Sequence, residues 1–240
     1  MMHTCLTGPP GVGKTTVGKI LAEIYCSMGF LKTDHFRVVS RADFVAGYLG
    51  QTALKTEKLL RNSLGGVLFI DEAYSLGTMD KHDDSFSKEC IDTINKFLSE
   101  NTKNFIMIIA GYKEDLEHSF FSANEGLRRR FPWVYDIKNY TPKNLKDIFM
   151  YQVRKTGWDF DDTVTDEFIE RVFNENLFNN NGGDTLILFD KAKICHSRRV
   201  FGKHKKTKKI LNSVDIENGL ELLRSYKKPN EKPIPFGMYT

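Results

Sequence analysis

Residues 8 to 15 read Gly-Pro-Pro-Gly-Val-Gly-Lys-Thr, set between an apolar stretch, Met1 to Thr7, and a helical pattern that opens near Lys14. No other feature limits the fold of this chain as strongly. The glycines let the backbone curl so that successive N–H groups turn inward and form a concave anion seat. A helix leaving that turn adds the positive end of its dipole. A strand that feeds such a turn, followed by a helix, begins a β–turn–α unit, and repeated units of this kind build a parallel sheet with helices on both faces.

The eight positions match the phosphate-loop pattern without a gap, in the strand–turn–helix context the pattern requires. Gly8, Pro9, Pro10, Gly11, Val12 and Gly13 are read as the cradle for a triphosphate. Lys14 is assigned to the β- and γ-phosphates, Thr15 to Mg2+ through its hydroxyl, and Thr16 to a further phosphate contact. The ligands implied are ATP and Mg2+.

The remainder of the first half continues the alternation. Val17, Ile20, Leu21, Ile24 and Met28 recur at helical spacing and predict one buried face over Lys14 to Met28, stopped at Gly29. Strands are predicted at Phe36 to Val39, Gly66 to Ile70, Phe105 to Ala110 and Val134 to Ile137, with helices at Thr52 to Leu64 and around Phe86 to Leu98. The apolar run before Asp71 and Glu72 reads as a strand buried on both faces. If that strand lies beside the first, Asp71 emerges where the metal sits and holds it through water, and Glu72 is placed to deprotonate an attacking water. The adjacent glutamate favours hydrolysis over binding alone.

Near Tyr140 the pattern becomes helical. Thr141-Pro142 is an N-cap followed by proline at the first helical position. Further helices are predicted near Thr165 to Asn176, Asp184 to Val200 and Val214 to Ser225. The expected fold is therefore α/β: a P-loop NTPase three-layer sandwich with a parallel sheet over residues 1–139, a small all-α lid over 140–226, and a flexible tail over 227–240.

Bulk properties exclude little. A formal net charge of +4 argues neither for nor against nucleic acid. The run Lys203 to Lys209, like Lys227, Lys228 and Lys232 in the tail, reads as a solvated segment, so a nucleic-acid partner is disfavoured. Cys5, Cys26, Cys90 and Cys195 form no Cys-x-x-Cys pair and read as reduced, mostly buried thiols, which points to a cytoplasmic setting. No membrane span or signal peptide is recognisable.

The stretches GPPGVGKTTVGKILAEIY, DFVAGYLGQTALKTEKLL, GGVLFIDEAYSL, IIAGYKEDLE and NEGLRRRFPWVYDI together resemble the AAA+ ATPases, and more narrowly the group of stage V sporulation protein K and red-type Rubisco activase. The likeness runs from about Leu6 to Arg224 and is densest up to residue 142. It implies a ring homo-oligomer, a hexamer, that hydrolyses ATP between subunits and remodels a protein client. The segment Asn124 to Phe131 looks like the group's arginine-finger segment, with Arg130 the first choice for the finger and Arg128 the second. A guanidinium reaching into the next subunit would neutralise charge building on the γ-phosphoryl group. Tyr48 and Leu49 fall where such motors carry a pore loop, an aromatic giving large contact area for little rotamer entropy. Tyr112 stands where many relatives carry a sensor asparagine; its phenol either binds water or packs.

Two departures from the group's pattern bear on function. The resemblance implies an upstream helical segment touching adenine and ribose, so this sequence is expected to be either a fragment or a compact version. Gly183 falls where an arginine ordinarily opens a lid helix and touches the γ-phosphate; Arg198 and Arg199, about four turns on, are too distant to replace it and read as a surface or subunit-contact patch. A nucleotide-gated assembly module with little turnover, a nucleic-acid-directed machine and a small-molecule kinase remain alternatives, in that order.

Overall fold

The computed structural model describes residues 2–48, 50–77, 85–202 and 209–227. Two compact units divide the chain, Met1–Asn139 and Tyr140–Thr240.

The first unit runs β1 Thr4–Thr7, α1 Lys14–Ser27, β2 Phe36–Val39, α2 Arg41–Phe44, α3 Thr52–Arg61, β3 Val67–Ile70, a 3-10 turn Ala73–Leu76, α4 Ser85–Glu100, β4 Ile106–Gly111, α5 Lys113–Asp115, a π-helical turn Leu116–Phe121, α6 Glu125–Arg128 and β5 Trp133–Asp136. Five strands form one parallel sheet in the order β2-β3-β4-β1-β5. The strands β1, β3 and β4 are buried along their whole length, as a two-faced parallel sheet demands of its centre. Alternate residues of these strands feed opposite layers. Cys5, Leu68, Ile70, Met107 and Ile109 pack with α3 and α4, while Leu6, Phe69, Ile108 and Ala110 pack with Ala22 and Tyr25 of α1.

Two expectations fail here for physical reasons. The strand carrying Asp71 is not beside the first strand: β4 lies between β1 and β3. The face of α1 turned to the sheet is Gly18, Ala22 and Tyr25; of the predicted stripe Val17 and Leu21 pack partly buried beside it, whereas Ile20, Ile24 and Met28 are 50%, 44% and 61% exposed. The cause is close approach. A Cβ on Gly18 would sit 2.7 Å from the Phe69 ring, so the helix can lie against β3 only on its small-residue side.

The second unit contains α7 Pro142–Lys155, β6 Asp159–Phe160, α8 Asp166–Phe173, α9 Gly182–Val200, β7 Ile210–Leu211 and α10 Ser213–Lys227. Thr141 caps α7 with its side chain and forms a capping box with Asn144, and Pro142 occupies the first turn. Phe149, Phe173, Leu188, Phe189, Ile216 and Leu223 centre its core. Helices dominate, and the sequence missed only a two-residue parallel pair, β6 with β7. Arg199 is not part of a surface patch. It folds back on the buried Asp215, donating from Nε and Nη2 at 2.9 and 2.7 Å, while Arg198 is exposed. Lys227, expected to open the flexible tail over 227–240, instead ends α10 and pairs with the buried Asp184; most of the basic run, residues 203–208, and the rest of the tail lie outside the described residues, as does Leu49.

Candidate functional site

The site of interest sits at the C-terminal edge of the sheet, where parallel α/β sheets place their ligands. Thr7 ends β1, and the chain turns at Gly8, whose φ is 149° and whose N–H donates to the Gly111 carbonyl at 3.3 Å. A Cβ on Gly8 would stand 2.4 Å from the Ile137 carbonyl oxygen, so no other residue fits without moving β5's exit. Gly11 and Gly13 adopt positive φ of 73° and 81°, and the turn curls between them. Val12 is fully buried and pins the loop from below.

The loop and the acidic pair meet in one cleft of about 350 Å3. From the loop come Pro10, Gly11, Gly13, Lys14, Thr15 and Thr16; from beyond β3 come Asp71, Glu72 and Tyr74; from the end of β4 come Gly111 and Tyr112. The strand order explains the spacing. With β4 between β1 and β3, the loop and the carboxylates are held one strand apart, and Tyr112 stands between them. Gly8, Pro9 and Val12 shape the loop without lining the cleft.

Lys14 Nζ donates to the carbonyls of Gly8 and Pro9 at 2.8 and 3.0 Å and lies 5.5 Å from the centre of the Tyr112 ring. Burial holds its pKa below the usual lysine value, against the opposing pull of Asp71 and Glu72. The Asp71 N–H donates to the Val39 carbonyl at 3.0 Å, which ties the acidic pair to the end of β2. Asp71 Oδ1 accepts the Glu72 N–H at 3.1 Å. Glu72 is exposed and adopts φ 50°, ψ 45°, a left-handed backbone that costs a non-glycine residue roughly 1 kcal/mol.

Tyr74 was not singled out by the sequence, although it stands two residues beyond Glu72. Its ring stacks on Tyr112 at 5.9 Å between centroids and 29° between planes. Burial first, then the Glu72 carboxylate, pushes its phenol up to about 12. Arg41 was also missed. It follows β2, and its Nη1 donates to the carbonyl of Ser75 at 2.5 Å and to Ser87 Oγ at 2.7 Å, bracing the turn that carries Glu72.

The remaining residues read from the sequence lie elsewhere in the unit. Arg130 Nε donates to Asn95 Oδ1 of α4 at 2.7 Å. Arg128 pairs with Glu117 and stacks its guanidinium on the Phe121 ring at 4.7 Å. Neither lines the cleft of its own chain. Tyr48 is 74% exposed between α2 and α3, ahead of Gly50 with φ 79°.

Two hard oxygen donors, the Thr15 hydroxyl and the Asp71 carboxylate, face the same cleft. That set suits Mg2+, which keeps several waters and takes much of its coordination from phosphates. Among the described residues no cluster of three or more His, Cys, Asp or Glu is placed to hold a metal ion. No helix among the described residues is long and apolar enough to cross a membrane.

A parallel sheet in this order, with a glycine-curled loop after one strand, an acidic pair after another and a helical unit following, is the architecture of a phosphate-loop NTPase with AAA+ topology. The chain belongs to the AAA family: the model described as "ATPase family associated with various cellular activities (AAA)" matches residues 4–136. It is 42% identical over 224 residues to putative cfxQ-like protein R730 of Acanthamoeba polyphaga mimivirus, covering 91% of this chain and 54% of that protein. It is 43% identical over 147 residues to stage V sporulation protein K of Bacillus subtilis (strain 168), covering 61% of this chain and 45% of that protein. The chain thus spans about half the length of these curated relatives. Among solved structures, the FIGL-1 AAA domain in complex with ADP superposes with a TM-score of 0.67 over 92% of this chain and 72% of that one, at 20% identity, a likeness of fold alone.

Proposed function

We propose that this chain is the ATP-hydrolysing module of a ring-forming AAA+ machine that remodels a protein client. The observation that carries the reading is the meeting of Lys14, Thr15, Asp71 and Glu72 in one cleft from two separate strand ends. Loop amides and the Lys14 ammonium bind the β- and γ-phosphates, which requires Lys14 to exchange its loop carbonyls for phosphate oxygens. Thr15 and Asp71 hold Mg2+, which when bound neutralises phosphate charge. Glu72 orients a water and takes its proton as the water oxygen bonds to the γ-phosphorus; the bond to the β–γ bridging oxygen breaks, and ADP leaves with that electron pair.

Arg130 or Arg128 of a neighbouring copy supplies the finger, worth on the order of 10³ to 10⁵ in rate. Both guanidiniums are held by partners in their own unit, so the finger reading requires one to change partner when the ring closes. Tyr48, the exposed aromatic of its loop, grips the client. The family likeness to stage V sporulation protein K and cfxQ-like proteins supports ring assembly and remodelling. A nucleic-acid target is disfavoured.

The test is steady-state ATP turnover against protein concentration. Turnover should rise more steeply than linearly as rings form, and both Glu72→Gln and Arg130→Ala should lose it. Glu72→Gln should also trap ATP and client for identification. Full activity in both variants would sink the assignments. A nucleotide-gated assembly module is the second reading, favoured by Gly183 in the first turn of α9, which supplies no side-chain charge at that position; tight ATP binding without turnover in the wild type would select it.

A further inference from the structure

The 3-10 turn after Glu72 carries a group that neither phosphate chemistry nor metal binding uses. Tyr74 is half-buried, faces the cleft, and stacks on Tyr112 with centroids 5.9 Å and planes 29° apart. Tyr112 in turn lies 5.5 Å from Lys14 Nζ. A line of contact therefore runs from the turn that holds Glu72, through two rings, to the ammonium of the phosphate loop. The space for it is provided at Gly111. A Cβ there would stand 3.0 Å from Tyr74 Cδ1 and 3.1 Å from Leu116 Cγ. The turn is anchored independently, since the Tyr74 carbonyl accepts from Ser119 Oγ at 2.9 Å and from the Gly77 N–H at 3.1 Å. Tyr74 thus has a fixed backbone, a fixed ring neighbour and an open side toward the cleft.

We propose that Tyr74 is a positioning residue for the hydrolytic step: its stacked ring fixes Tyr112 against the Lys14 ammonium on one side and the Glu72 turn on the other. The proposal rests on the ATPase reading above and adds a residue to it. A cation over an aromatic face is attracted to it only while the ring stays in place. Without Tyr74, the ring of Tyr112, itself 39% exposed, loses the ring stacked on it. The loop amides are untouched by that loss, so binding survives. What suffers is the mutual placement of ammonium, water and carboxylate, where a misplacement of about 1 Å can cost as much as 10²-fold.

Single-turnover and steady-state ATP hydrolysis are measured for wild type, Tyr74→Ala, Tyr74→Phe and Gly111→Ala, with Glu72→Gln as the baseline for enzyme-dependent turnover. ATP affinity is read separately, by placing each variant in the Glu72→Gln background. Tyr74→Ala should lose about tenfold or more in kcat with Kd within about threefold, an asymmetry that general loosening would not give. Tyr74→Phe keeps the stack and should stay within about twofold of wild type. Gly111→Ala, which crowds the Tyr74 ring from behind, should lower kcat in the same direction and covers the case in which Tyr74→Ala fails to fold. Wild-type kcat in Tyr74→Ala or Gly111→Ala overturns the proposal. So does a Phe variant as impaired as Ala, which would assign the effect to the hydroxyl, or a Kd that worsens in step with kcat. A wild type without Glu72-dependent turnover defeats the ATPase reading itself, and this proposal with it.

Discussion

Acid should weaken the first unit through one buried histidine. His3, at the entry to β1, is 1% exposed and lies between the rings of Phe105 and Phe131. Its Nδ1 accepts the Met107 N–H at 3.0 Å, so the neutral ring carries its proton on Nε2, which has no hydrogen-bond partner. Adding a second proton would break the Nδ1 bond and bury a cation. Burial above all, with the Arg130 guanidinium adding to it, lowers the His3 pKa from 6.5 to about 4. Because the folded value is depressed, the unfolded chain binds the extra proton between those limits. The stabilisation is complete above pH 6.5 and is lost as pH falls toward 4.

Linkage over that interval gives a loss of about 2 kcal/mol between pH 7 and pH 5, a fall of about 30-fold in the equilibrium protecting the fold. Native-state hydrogen exchange at the Met107 amide and its β4 neighbours reads this directly, once corrected for the intrinsic pH dependence of exchange. His3→Asn keeps an acceptor near the same place but does not titrate, so it should remove the acid-dependent part while costing some packing at every pH. Equal pH dependence in wild type and His3→Asn would refute the reasoning.

Other outcomes follow from single contacts. Lys14→Ala should abolish ATP binding in equilibrium titration while leaving the far-ultraviolet spectrum unchanged, because its hydrogen bonds are to the loop alone. Gly18→Val should destabilise the first unit by roughly 1–3 kcal/mol in urea melts, since the added atoms meet the buried Phe69 ring. Gly8→Ala should impair both stability and nucleotide affinity, because its φ of 149° and its contact with Ile137 leave no space for a methyl group. In the second unit, Arg199→Ala should cost about 3 kcal/mol by stranding Asp215, which is 1% exposed. Burial alone would raise the pKa of that carboxylate; Arg199 and the Asn212 N–H outweigh it and hold it below the usual range.

How much of this was legible beforehand depends on the range of the interaction. The phosphate loop, the strand ending at Asp71 and the cap at Thr141-Pro142 are local, and they were read from adjacent residues. Strand order is not local. Nothing near residue 71 indicates that β4 would intervene, and so nothing showed that Tyr112 would stand between lysine and carboxylates. The helix after the loop misled for a related reason. Its apolar periodicity over Ile20, Ile24 and Met28 was real, but the sheet selected a side turned partly round the helix from it, where Gly18 allows contact with Phe69, and only Val17 and Leu21 of the predicted stripe reach the core. Tyr74 carried a weak signal, an aromatic two residues past a catalytic candidate, and its stacking partner is 38 positions away in the chain. The Arg199–Asp215 pair was misread because helical spacing separates Arg199 from the loop but does not reveal the facing helix.

The left-handed backbone at Glu72 has a consequence for evolution and for engineering. Asparagine and glycine occupy that conformation at less cost than glutamate. Replacing Glu72 with asparagine should therefore give a protein that melts later and turns over nothing, whereas glutamine keeps the conformational penalty and loses only the carboxylate. Selection for durability alone would drift this position away from glutamate. Its retention in any descendant of this chain would therefore be a record of demand for the chemistry, readable from one codon.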